Sequence, residues 1–113
     1  MNIETIRSIC NKLPHVTEDI KWGNDLCFLI GGKMFCVVGL NENLKVSIKV
    51  TDEEFDELTN LDGIIPAPYV AKHKWVLVIK PNIFNQKKWQ HYMSQSYNLI
   101  KTKLPKKVQA QLK

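Results

Sequence analysis

The sequence predicts an α+β domain, a two-layer sandwich of one antiparallel sheet with helices on one face. Three observations predict it. Leu44 to Val50 alternates strictly, with Leu44, Val46, Ile48 and Val50 on one side and Lys45, Ser47 and Lys49 on the other, the pattern of a strand with one core face and one wet face. Gly31-Gly32 stands between two β-type runs, where a two-residue hairpin loop needs positive φ. Near both ends of the chain, apolar residues recur at helical spacing. No GxGxxG or P-loop opens a helix after a parallel strand, which disfavours the nucleotide-binding folds.

Ile3, Ile6, Ile9, Cys10 and Leu13 line one side of a first helix. Asn2 caps it, Glu4 suits its first turn and Pro14 ends it. Residues 19–22 (DIKW) alternate as a short strand would, with Trp22 on an apolar face, and Gly23, Asn24 and Asp25 form a turn. Leu26 to Ile30 and Lys33 to Gly39 make the hairpin, Asn41-Glu42-Asn43 the next turn, and Leu44 to Val50 the following strand. Thr51-Asp52-Glu53-Glu54 is a capping box, opening a helix to about Thr59 with Phe55 and Leu58 inward. Asp62-Gly63 turns the chain, and Ile64 to Tyr69 is extended because residues before proline avoid the α region. Lys74 to Lys80 is a central strand ended by Pro81. Asn82 or Asn85 caps a long last helix to about Leu104, with Trp89, Tyr92, Met93, Ser96, Tyr97 and Ile100 inward. Pro105-Lys106-Lys107 opens a basic tail. The predicted order is α-β-β-β-α-(extended)-β-α, in a single domain spanning 1–113.

Hydrophobic residues make up 44% of the chain and charged residues 24%, a globular composition that excludes disorder. No stretch approaches the roughly 20 apolar residues of a membrane span, and no apolar leader segment is visible. A cytoplasmic protein with no membrane role is expected. Cys10, Cys27 and Cys36 lie among apolar residues and form no CxxC pair, so buried thiols are expected.

Charge divides unevenly. Residues 1–62 hold all eleven acidic residues and six basic ones, and residues 63–113 hold ten lysines and no acid. A positive field over the second half attracts polyanions, or an acidic protein. Only one of the sixteen basic residues is arginine, the residue suited to bidentate reading of guanine. Phosphate contact is therefore the expected mode, rather than base readout. Three scattered histidines, with no HExxH or paired metal-ligand spacing, give no basis for an enzyme, a metal or a cofactor.

Four blocks carry a family resemblance. They are Trp22-Gly23 with Cys27-Phe28 and Gly32-Lys33-Met34-Phe35; Ser47-Ile48-Lys49-Val50 with Glu54-Phe55-Asp56-Glu57-Leu58; Pro66-Ala67-Pro68-Tyr69 with Lys72 and Trp75-Val76; and Ser96-Tyr97-Asn98-Leu99-Ile100 with Lys103-Leu104-Pro105-Lys106. Together they resemble the MmcQ/YjbR-like family of small bacterial proteins. The resemblance implies a sheet of about five antiparallel strands on helices, similar to frataxin-like and secretion-chaperone-like arrangements. It also implies DNA binding through a double wing of strands and loops, and it brings no catalytic residue, cofactor or metal. Family members often show arginine where Lys72 and Lys74 stand here, which keeps the charge and loses the forked geometry.

The candidate nucleic-acid contacts are Lys33, Lys49, Lys72, Lys74 and Tyr69. Lys33 follows the Gly-Gly turn, where a wing would project. Lys49 is read on the wet face, either at a phosphate or as a solvated or paired lysine. Lys72 and Lys74 lie in a loop between Tyr69 and Trp75, where aromatics interleaved with lysines suit stacking and phosphate contact. The competing reading packs Tyr69 and Trp75 under the last helix, and it is the favoured one for Trp75. The leading expectation is a monomeric, non-enzymatic, sequence-tolerant DNA-binding domain. The alternative is a module binding a protein or a small ligand.

Overall fold

The computed structural model describes residues 1–40 and 43–112. In order it has α1 (Ile3–Asn11), β1 (Thr17–Lys21), β2 (Asp25–Ile30), β3 (Lys33–Gly39), β4 (Lys45–Lys49), α2 (Asp52–Leu58), β5 (Ile64–Pro66), β6 (Trp75–Val78), α3 (Gln86–Lys101) and α4 (Lys106–Gln111). The sheet is antiparallel throughout, in the spatial order β1-β2-β3-β4-β6-β5. This is the α+β class the sequence predicts. The expected turn at Asn41-Glu42-Asn43 falls largely outside the described residues.

The local signals act as predicted. The Asn2 side chain accepts from the Thr5 N–H at 2.9 Å and starts α1. Thr51 and Glu54 complete a capping box at α2. Asn85, rather than Asn82, caps α3, accepting from the Lys88 N–H at 2.8 Å. Gly31 and Gly32 have φ of +58° and +82°, as a tight hairpin loop between paired Ile30 and Lys33 requires.

The core lies between the sheet's inner face and the helices. Leu26, Phe28, Ile30, Cys36, Val38, Val46, Ile48, Val76 and Val78 meet Ile6, Ile9 and Cys10 of α1 and Trp89, Met93 and Tyr97 of α3. All three cysteines are buried and unbridged. Trp89 donates its indole N–H to the Pro81 carbonyl at 2.8 Å, and Tyr97 donates its hydroxyl to the Pro14 carbonyl at 2.7 Å. Each large ring thus satisfies its polar atom while burying its body.

Several expectations need correction. The first strand is Thr17–Lys21, not 19–22: Lys21 pairs with Asp25, so Asp25 belongs to β2 and the turn is Trp22 to Asn24. Ile64–Pro66 is a paired strand and not merely extended, which raises the sheet to six strands. Pro66 is tolerated there because β5 is an edge. The Lys74–Lys80 strand shortens to Trp75–Val78, and α3 ends at Lys101. The basic tail is a helix, α4, because Val108 and Leu112 reach the core. Leu104 and Val108 also close over Gly31, where an added Cβ would lie 2.7 Å from a Leu104 methyl. Among the described residues no helix is long and apolar enough to cross a membrane.

Candidate functional site

Two features stand outside the core. One is a lysine-rich end of the sheet. The other is a groove on the sheet's outer face.

The antiparallel register brings the lysine-rich end together. β3 begins at Lys33, β4 ends at Lys49, and Lys49 pairs with Trp75 at the start of β6. The β2–β3 turn and the loop before β6 therefore lie at the same end. The closure of Leu104 and Val108 on Gly31 adds Lys103, Lys106 and Lys107 there. Lys33 and Lys72 are exposed, and neither has a carboxylate partner among the described residues. Sequence reasoning treated Lys106 and Lys107 only as a tail. The missed signal was Gly31, whose open side receives the apolar residues flanking those lysines.

Two of the candidate lysines are partly engaged elsewhere. Lys49 alternates onto the wet face with Lys45 and Ser47, but it is 8% exposed and its ammonium donates to the His73 carbonyl. Burial, and next the nearby charge of Lys103, lower its pKa from the usual lysine range. Its alternating position is correct; what differs is that the 71–74 loop folds over it and supplies the carbonyl. Lys74 adopts a left-handed backbone with φ +64° and sets its ammonium 4.9 Å from the centre of the Phe55 ring. α2, the acid-rich helix, touches β5 and β6. The fold therefore mixes the two charge halves at this edge, and Lys80 pairs with Asp62 at 2.7 Å.

The outer-face groove has a volume of about 550 Å³. Met34, Val37 and Ser47 contribute from β3 and β4, and the Ala67–Val70 segment and Trp75 bound it on the β5–β6 side. Trp22 lines it from the β1–β2 turn and Asp25 from the start of β2. Trp75 is buried as expected, but in this groove and not under the last helix. Tyr69 is fully exposed and Trp22 is 70% exposed. The apolar-face reading of Trp22 is therefore wrong. β1 ends at Lys21, and Trp22 enters the turn at φ +52°, outside the alternation of the strand. Tyr69 sits at φ +70°. A left-handed backbone is costly for a bulky residue and persists only where surrounding structure enforces it.

Comparison with known proteins places the chain. The YjbR family model matches residues 11–99. That span contains the whole groove and every candidate contact, and it leaves Lys103, Lys106 and Lys107 outside. The crystal structure of a Deinococcus radiodurans protein with a DUF419 domain is 25% identical, with a TM-score of 0.87, covering 98% of this chain and 87% of that one. A Pseudomonas syringae protein solved by structural genomics is 19% identical, with a TM-score of 0.73, covering 88% of this chain and 98% of that one. No curated protein matches the chain. With its fold reproduced in those structures and the family pattern running from the end of α1 into α3, the chain belongs to the YjbR family.

Proposed function

We propose that this small domain acts by binding rather than catalysis, as a monomer in the cytoplasm, and that its lysine-rich end holds nucleic acid through phosphates with little sequence preference. The observation that supports this reading is the convergence of exposed Lys33 and Lys72, from separate loops, with Lys103, Lys106 and Lys107 at one end of the sheet. Lysine ammonium groups in such a cluster act as point charges toward phosphates and carry little base information. Lys49 and Lys74 contribute to the local field while their ammonium groups rest on His73 and Phe55.

The test is binding of labelled DNA by the wild-type chain and by a Lys33→Gln/Lys72→Gln chain. The double variant should bind more weakly, and to the same degree for unrelated sequences. A change in sequence preference at equal overall affinity would reject phosphate-directed binding. The groove favours a second reading, a module for a small ligand, because its apolar lining and few polar groups fit the usual character of ligand sites.

A further inference from the structure

Folding alone does not account for the groove's rim. Tyr69 is fully exposed and Trp22 is 70% exposed, so neither gains the burial that normally justifies a large aromatic side chain. They come from turns far apart in the chain, yet both line one groove, and both hold a left-handed backbone. The remaining lining is apolar, from Met34, Val37 and Trp75, with two polar groups, the Asp25 carboxylate and the Ser47 hydroxyl.

Flat aromatic rims present π-faces, which stack on planar rings of any identity. Hydrogen-bond acceptors within an apolar site favour a ring with amino or imino donors on its edge. A volume of about 550 Å³ has ample room for a planar ring. The Asp25 end repels phosphate, whereas the loop that carries Tyr69 continues directly into Lys72.

We propose that the groove takes an unstacked nucleobase of a single-stranded nucleic acid against Trp22 and Tyr69, with the strand's phosphates running toward Lys72. This rests on the phosphate-binding reading above and adds a preference for single strands, because the bases of a duplex keep their faces stacked on one another. The occupant is a base within a strand: base and phosphate sites adjoin, and together they match both the ring and the charge.

The experiment measures fluorescence anisotropy of a short mixed-sequence DNA strand, alone and annealed to its complement, at one low salt concentration. It uses the full chain and the Tyr69→Ala and Trp22→Ala variants, with thermal melts confirming that both variants fold. The single strand should bind about tenfold or more tighter than the duplex. Each variant should lose about 5- to 150-fold for the single strand, the range of one stacked base, and keep its duplex affinity. Equal binding of both forms, unmoved by either variant, would overturn the groove assignment and leave the lysine reading standing. An environment-sensitive apolar dye that binds in the groove, loses its site in Tyr69→Ala and is not displaced by the strand would also overturn it, assigning the groove to apolar ligands. Failure of both DNA forms to bind would overturn both readings.

Discussion

The Ser96 hydroxyl on α3 donates to the Phe35 carbonyl at 2.6 Å and accepts from the Lys49 N–H at 3.0 Å. It thereby stands between β3 and β4 where their ladder would otherwise continue beyond the Cys36–Ile48 pair. The cause lies one strand away. A register shift between Phe28 and Leu29 leaves Phe35 unopposed on β3, and a buried unpaired carbonyl is costly. Ser96→Ala should therefore destabilise the protein by about 1–3 kcal/mol, the cost of orphaning buried backbone groups. Urea denaturation measures it, and a loss below about 0.5 kcal/mol would mean that the two strands close directly.

Tyr97 and Trp22 should separate sharply under truncation. Tyr97 is buried, packs edge-on against Phe35 with ring centres 5.5 Å apart, and binds the Pro14 carbonyl. Tyr97→Ala should cost about 3–5 kcal/mol, and Tyr97→Phe about 1 kcal/mol for the hydrogen bond alone. Trp22→Ala should stay within about 0.5 kcal/mol, as an exposed position does. Similar losses at Tyr97 and Trp22 would contradict the burial described.

The thiols should be inert in the folded state. Burial pushes Cys36 well above the usual thiol range, with neighbouring Cys10 adding to the shift, and burial also raises Cys27. The reactive species is the thiolate, so an aromatic disulfide reagent should label native protein slowly and denatured protein fully. Rapid native labelling of Cys36 would show that its surroundings open readily.

Glu18 supplies a small acid-side dependence. Hydrogen bonds from Asn11, then from Arg7, hold its carboxyl below the usual glutamate range. Because its folded pKa is depressed, the stabilisation is complete above the unfolded value and fades as pH falls through the folded one. The Arg7 side chain is 46% exposed, so solvent screens the pair and its contribution should stay below about 1 kcal/mol. Glu18→Gln should lower stability slightly near neutral pH and flatten the acid limb of a pH–stability curve. An unchanged limb would assign that dependence to other carboxylates.

The fold was legible wherever local chemistry decides. The Thr51 and Asn85 caps, the Gly31-Gly32 turn and the alternation of Leu44 to Val50 act through neighbours in sequence. What escaped depends on distant partners. Ile64–Pro66 is a strand only because Trp75–Val78 lies beside it. Lys106–Gln111 is a helix rather than a tail because Val108 finds Gly31. Lys49 alternates correctly and is nevertheless buried, since the 71–74 loop brings it the His73 carbonyl. Tyr69 and Lys72 were visible as candidates from aromatic and basic spacing alone. Trp22 alternates onto an apolar face in the sequence but enters a left-handed turn in the fold, which alternation cannot reveal.

The exposed lysines at one end of the sheet are proposed to hold nucleic acid through phosphates, and a salt series measures that contact. Binding of a duplex with three or four phosphate contacts should weaken with a log–log salt slope of about −3 to −4, since each contact contributes about −0.9. Lys33→Gln with Lys72→Gln should flatten that slope by about 1 to 2, and Lys74→Gln alone by less, because its ammonium rests on Phe55. A slope near zero, or no binding at low salt with tens of micromolar protein, would contradict the account.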